Sequence, residues 1–483
     1  MNNILHIKLV RMALVFALLI ISSCKSFLEI EPVGSLTGEK LFTNVEGYNS
    51  ALVGSYSLFA KYHLSQYGLY GELRGDNVLL NQTLGAGVLA EYNYESDPAL
   101  SLGAVRVIWE NIYETLNNVN NVIESRASLL EAFPAYKGNI NTVYGEALVL
   151  RAMCFFDLAN VYGQTYAYTT DASHLGVPIF TKTPLPGVTT PRSTMKETYA
   201  RIITDLKEAQ VVLSTYSNSK SKIYVSADAA TTLLSRVYLY MQDWDGVIGL
   251  LENQALKNKY PLVSSAGYLN MFMGSNTPTS ISSEVIWQLN LNATATTYLT
   301  DILSNPETFY VYPHATYRAL FDNSDVRSQQ FIASTRAPNT YYTIKYGKAD
   351  DVVRANWPVN FKMFRSAEIY LNLAEAYYHK QQYELAANQI KVVRARAYNV
   401  APADITLSSA DPGVLLQQIK LERRKELGFE NQRIFDIMRY KENLNRTECN
   451  SNTCTLTYPN NKFVLPIPAM EIVANPLIEQ NPL

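Results

Sequence analysis

Long apolar runs are almost missing from this 483-residue chain. The one extended run, residues 12–21, is about ten residues long, half of the roughly 20 that a membrane-spanning helix needs. Everything after it reads as a soluble body. An excess of one charge is missing too: the formal net charge is −2, and −4 once Lys8 and Arg11 leave with residues 1–23. Nothing here attracts nucleic acid or an anionic membrane surface. Histidine is scarce, with five in the chain and no pair at metal-ligand spacing, so no metal site and no cofactor are expected. No nucleophile elbow, Walker loop, dinucleotide fingerprint or HExxH motif occurs.

Cysteine is equally sparse, at four residues, which rules out a disulfide framework. Cys154 lies in an apolar helical stretch, 152–156, and reads as a small buried hydrophobe. Cys449 and Cys454 bracket a polar loop, 450–453, and are candidates for a small disulfide in an oxidising compartment. Cys24 stands apart. Lys8 and Arg11, then the apolar run, then Ser22 and Ser23 have the anatomy of a bacterial export signal. A cysteine directly after the small pair resembles the lipobox of lipoproteins, which implies lipidation at Cys24 and a mature chain of 24–483.

What is abundant is tyrosine, 34 against 17 phenylalanines and 4 tryptophans. Its flat ring and hydroxyl suit helix contacts and, on irregular segments, sugar recognition. Helical periodicity covers 48–61, 105–130, 139–162, 195–214, 227–256, 366–398 and 413–440. Ala367, Tyr370, Leu371, Ala374, Tyr377 and Tyr378 form one stripe, and Tyr383, Ala386, Ala387, Ile390 and Val393 form a second after a polar turn. A copy of this hairpin lies 139 residues upstream: Leu234, Ser235, Tyr238 and Leu239 match Leu373, Ala374, Tyr377 and Tyr378, and Trp244 matches Tyr383. Residues 105–130 and 139–162 form a looser third pair. Such hairpins are similar to tetratricopeptide units, which stack because one alone cannot bury its apolar face. The expected class is mainly α, a scaffold of helical hairpins with a loop-rich portion containing short strands. Segments 66–104 and 260–360 lack the helical pattern, and binding residues concentrate on such stretches.

Glu422, Glu426 and Glu430 lie four apart, and paired carboxylates are what glycoside hydrolysis needs. Arg423, Arg424, Arg433 and Arg439 are interleaved with them, so ion pairing is the simpler reading. Glu368 and Glu375 read as polar partners within a hairpin, and Arg74-Gly75-Asp76 as a structural turn. Sugar recognition instead needs an aromatic platform beside amides or carboxylates. Asp76, Asn77, Tyr92 and Tyr94 supply that mixture in the first irregular segment, and Asn290, Tyr298, Tyr310 and Tyr312 in the second. Tyr92 and Tyr94 alternate, which equally fits one strand face packed on a core. Trp287 and Trp244 read as core residues.

The whole mature chain resembles the SusD/RagB family of surface lipoproteins. The head at 23–32, the helix at 365–376, the run 422–430 with Arg433, Phe435, Asp436 and Arg439, and the end with Leu465-Pro466-Ile467-Pro468, Asn475-Pro476 and Asn481-Pro482 each resemble a family signature, in the family's order. The resemblance implies a SusD-like helical fold and a non-enzymatic protein. It would be anchored in the outer membrane facing the exterior and capture glycan, or peptide as in the RagB branch, for a SusC-like TonB-dependent transporter.

Overall fold

Capping residues fix where the helices begin. In a computed structural model of the chain, which describes residues 41–80, 86–101, 103–185, 187–217, 221–273, 281–289, 298–303, 310–334, 338–346, 360–407 and 411–482, the Asn44 side chain accepts from the Gly47 N–H at 2.7 Å and opens helix α1 (Val45–His63). Then follow α2 (Gln66–Leu73), α3 (Ala86–Asn93), α4 (Ala104–Ala132) and α5 (Lys137–Tyr162). Thr194 and Glu197 form a reciprocal capping box at the start of α6 (Met195–Tyr216). Ser226 caps α7 (Ala227–Met241), and Asp243 caps α8 (Trp244–Leu251). Helix α9 (Ser265–Met273) precedes the second hairpin, α10 (Ser366–His379) and α11 (Tyr383–Tyr398). Asp411, with Pro412 in the first turn, starts α12 (Pro412–Leu427), which α13 (Arg433–Arg439) follows.

The 139-residue repeat is a repeat of geometry. Gln242 and Gln381 occupy matching positions and both turn left-handed, at φ 61° and 62°. The next N–H in each copy, Asp243 and Gln382, bonds back to Tyr238 O and Tyr377 O at 2.9 and 2.8 Å, closing the same helix end. Trp244 and Tyr383 are the first residues of the second helices. Residues 227–256, read as one periodic stretch, are broken at this turn. Helices α1, α4, α5, α6, α7, α8 and α10 pack each on the next, and α11 on α10, so the apolar stripes close into one continuous core. Cys154 and Trp287 are buried in it, and half-buried Trp244 stacks on His379 with ring centres 4.1 Å apart.

Segment 66–104, expected to be irregular, carries two eight-residue helices, α2 and α3. Its glycines lower helix propensity, but Gly71 is there for contact. A Cβ on it would stand 2.5 Å from Asn431 Oδ1 and 2.7 Å from the Asn431 carbonyl oxygen, and its N–H donates to that Oδ1 at 2.6 Å. Segment 260–360 does carry short strands. Among the described residues, β1 (Val78–Leu80), β2 (Val285–Gln288), β3 (Val311–Pro313), β4 (Phe331–Ala333), β5 (Tyr341–Thr343) and β6 (Lys362–Arg365) form antiparallel ribbons, β1 with β3, β2 with β6 and β4 with β5. A fourth ribbon joins β7 (Leu444–Asn445) to β8 (Thr455–Leu456).

A buried charge network ties this segment to the scaffold. Arg327, with no exposed surface, binds Asp325 at 2.8 Å, Glu422 at 2.6 Å and Glu426 at 2.9 Å. Arg365 binds Glu284 at 2.8 Å, Glu426 at 2.6 Å and Glu430 at 2.8 Å. Arg396 reaches Glu284 at 3.2 Å and also Glu426, and Lys345 binds Glu430 at 2.7 Å. The carboxylates of α12 are therefore ion-paired, but with cations from other elements. The interleaved arginines look elsewhere: Arg423 and Arg439 bind Asp436, while Arg424 and Arg433 bind Asp76. Burial, the largest influence on Glu426, would raise its pKa, yet Arg396, Arg365 and Arg327 together hold it well below the ordinary value. Glu430, Glu375 and Asp436 are lowered in the same way.

Arg327→Met takes one buried cation from three carboxylates, which keep Lys425, Arg394 and the Arg365–Arg396 pair as their remaining partners. It is expected to cost on the order of 3 kcal/mol in urea unfolding. Lys61→Ala at the exposed Lys61–Glu114 pair should cost no more than about 1 kcal/mol. The lowered carboxylates also set a pH dependence. Their stabilisation is complete above the unfolded carboxylate range, about pH 4, and is lost as pH falls through it toward the folded values. The urea midpoint of the wild type should therefore drop progressively below pH 4.

Candidate functional site

The β1–β3 ribbon joins the two segments that the sequence singled out, with Val78 opposite Pro313, Leu79 opposite Tyr312 and Leu80 opposite Val311. Directly opposite residues of an antiparallel pair share a face. Val78, Leu80, Val311 and Pro313 are buried on one face, and Leu79 with Tyr312 is half-buried on the other. Tyr310, just before β3, is half-buried as well. This face therefore carries partly open aromatic surface, from Tyr312 and from Tyr310 beside it. Burial raises the Tyr312 hydroxyl pKa, so it stays protonated and can both donate and accept at neutral pH.

Tyr92 and Tyr94 do not form the platform that the sequence suggested. They close helix α3, where Tyr94 turns left-handed at φ 59°, and both rings are buried. Tyr92 lies under the Arg446 guanidinium at 4.2 Å and donates its hydroxyl to Asn450 Oδ1 at 3.1 Å. Tyr94 is covered by Arg74 at 4.2 Å and donates to the Arg74 carbonyl oxygen. The alternation that looked like a strand face is a helix end whose rings fill space between arginines. Arg74 is buried by these contacts, so Arg74-Gly75-Asp76 is indeed a structural turn.

Asp76 and Asn77 are likewise drawn inward. The Asp76 carboxylate clasps Arg433 with Nε–Oδ1 at 2.6 Å and Nη2–Oδ2 at 2.9 Å. Burial opposes its ionisation, but Arg433 and Arg424 leave its pKa lowered. Asn77 is fully buried; its amide donates to Glu72 Oε2 at 3.1 Å and its oxygen accepts from Arg424 Nε at 2.8 Å. Both residues hold the approach to β1 and present nothing to a ligand in this conformation. Asn290 and Cys24 lie outside the described residues, as does the side chain of Tyr298, the first residue of a short helix, Tyr298–Leu303.

Two residues beside the ribbon escaped the sequence reading. Asn450 sits in the loop closed by the Cys449–Cys454 disulfide, Cα atoms 5.7 Å apart, and donates to the Leu80 carbonyl oxygen at the end of β1. Arg446 donates to the carbonyl oxygens of Leu73, Gly75 and Tyr92 at 2.7, 2.8 and 2.6 Å. The bracketing cysteines were the signal for this loop, but nothing in the sequence said which segment it would cover. Burial raises the Tyr92 hydroxyl pKa, Arg446 opposes that shift, and the neighbouring Tyr312 hydroxyl adds to it. Tyr92 thus lies between the disulfide loop and the open tyrosine.

The carboxylates that a hydrolase would need are not free. Glu422 and Glu426 have no exposed surface, and Glu430 is held by Arg365 and Lys345. Glu368 binds Arg236 at 2.6 Å, and Glu375 binds Arg439. Among the described residues no cluster of His, Cys, Asp or Glu could hold a metal ion, and no helix is long and apolar enough to cross a membrane.

Residues 46–239 match a family described as starch-binding and associating with the outer membrane, and residues 290–483 match the SusD family. SusD-like protein P38 of Formosa agariphila is 26% identical over 254 residues, covering 51% of this chain and 45%, about half, of that relative's length. SusD-like protein P25 of the same organism is 21% identical over 548 aligned positions, covering 96% of this chain and 97% of that protein. A crystal structure of a SusD superfamily protein from Bacteroides thetaiotaomicron superposes with a TM-score of 0.79 at 25% identity, covering 91% of this chain and all of the other. Family signatures from end to end, the repeated hairpins and the shared fold converge: the chain belongs to the SusD family.

Proposed function

We propose that this protein is a non-catalytic glycan-binding lipoprotein of the outer membrane that captures oligosaccharide and passes it to a SusC-like TonB-dependent transporter. The observation that carries the proposal is the β1–β3 ribbon, whose open face sets Tyr312 against Leu79 with Tyr310 beside it. A sugar ring presents C–H faces that stack on such aromatics and hydroxyls that pair with their O–H groups. The family description as starch-binding and associating with the outer membrane supports both the ligand class and the location. The ion-paired state of Glu422, Glu426 and Glu430 supports binding without turnover. Cys24, after an export-type apolar segment, supplies the anchor.

Tyr312→Ala is expected to weaken binding to a retained oligosaccharide by roughly tenfold, about 1.4 kcal/mol, read by titration calorimetry. It should leave the melting curve nearly unchanged. Tyr92→Ala should do the reverse in emphasis, losing about 3 kcal/mol or more of stability as a buried aromatic removed from a core. Equal binding by wild type and by both Tyr310→Ala and Tyr312→Ala would remove this surface as the site. For the anchor, Cys24→Ala is expected to move the protein from the membrane fraction to the soluble fraction with its glycan affinity intact. Retention of that variant on membranes lacking the transporter would refute lipid anchoring.

A further inference from the structure

Arg74 ends helix α2 and is almost wholly buried. Its Nη1 donates to Glu91 at 2.9 Å and to Ser96 at 3.1 Å, and its Nη2 donates to the Lys462 carbonyl oxygen. The Nε–H has no hydrogen-bond partner. This guanidinium helps to line a half-open cleft of about 300 Å³ between the segment after α3 and the C-terminal segment. That volume is at the lower end of small-molecule sites, about 300–1,000 Å³. Tyr310, Tyr312 and Asn450 are not among its lining residues, so the cleft is distinct from the ribbon face.

The lining defines what would fit. Pro98, Val464, Pro466 and Pro482 give C–H walls, and apolar surface predominates. Glu95, Ser96, Asn461 and Lys462 supply the polar groups. The Arg74 charge is met by Glu91, and the remaining charged residues of the lining, Glu95 and Lys462, are one of each sign. A charged ligand would therefore enter with no uncompensated partner. The Ser96 hydroxyl is engaged, accepting from Arg74 and donating to Glu91 at 2.9 Å. Of the exposed groups, Glu95 only accepts, Lys462 only donates, and the Asn461 amide does both. A set of mixed donors and acceptors over C–H walls matches a ring that carries several hydroxyls.

We propose that this cleft is a second carbohydrate subsite, which takes a neutral, hydroxyl-rich sugar residue. The inference rests on the glycan-binding reading. It adds a contact that does not use the tyrosine face, so a long chain engages both surfaces and binds more tightly than at either alone.

The test uses the full mature chain and a set of immobilised probes: amylose, mannan, galactan and mixed-linkage β-glucan as neutral glycans, pectate and alginate as acidic ones, and a casein peptide digest. Wild type is compared with Tyr312→Ala and with the double variant Glu95→Ala/Lys462→Ala, whose side chains are exposed. Near-UV circular dichroism checks that each is folded. The double variant is expected to lose roughly five- to tenfold in affinity for whichever neutral glycan the wild type retains, the worth of one or two hydrogen bonds. If it binds that glycan as well as wild type while Tyr312→Ala is weakened, the cleft is no subsite and the ribbon reading stands. If the loss falls on an acidic glycan or on peptides, the neutral-sugar assignment is overturned. If wild type retains no neutral glycan, both readings fall.

Discussion

Glu426 is fully buried and meets three guanidinium groups, from Arg327, Arg365 and Arg396. Those arginines come from a loop turn, from strand β6 and from helix α11, which are far apart in sequence. Desolvating so many ions is costly, and an apolar substitute of the same shape would often be as stable. What charges add is intolerance of misplacement, because a shifted segment leaves an unpaired ion in the interior. The network thus fixes how the loop-rich stretch sits on helix α12. The tyrosines of the open ribbon inherit their position from it.

A second fixture works through arginine and aromatic faces. Arg74 covers Tyr94, and Arg446 lies 5.4 Å from the same ring and 4.2 Å from Tyr92. Such contacts strengthen when desolvated, as all four side chains are here. They bind the C-terminal segment to α2 and α3, and the Cys449–Cys454 loop completes the union through Asn450. Tyrosine abundance consequently serves two purposes. Rings such as Tyr92 and Tyr94 are internal mortar, while others, Tyr310 and Tyr312 among them, stay half-buried.

The helical hairpins supply the frame that lets loops carry recognition. Matching turns at Gln242 and Gln381 show the same hairpin used twice, with a long insertion between. Each hairpin covers the apolar stripe of its neighbour, so stability lies in the frame and the inserted segment is free to vary in surface. The carboxylates that invited a catalytic reading belong to this frame. They are engaged by the packing, each paired with buried cations.

Periodicity and capping made the helices legible, because an amphipathic stripe and an N-cap are local properties. The seven periodic stretches and the repeat at 139 residues were available from the chain alone. That Glu422, Glu426 and Glu430 are ion-paired was legible too, but their partners are Arg327, Arg365, Arg396 and Lys345 and not the interleaved arginines. Segment 66–104 was misread because glycine at positions such as Gly71 signals a loop locally, while its cause is a neighbour 360 residues away. Tyr92, Tyr94, Asp76 and Asn77 had the composition of a sugar site, but composition does not say which way a ring or carboxylate faces. That was decided by Arg446, Arg74, Arg433 and Arg424, which reach them only in the folded chain. Local order was therefore determined by the sequence itself. Which tyrosines stay open was settled by tertiary pairing, since burial depends on partners that sequence spacing does not reveal.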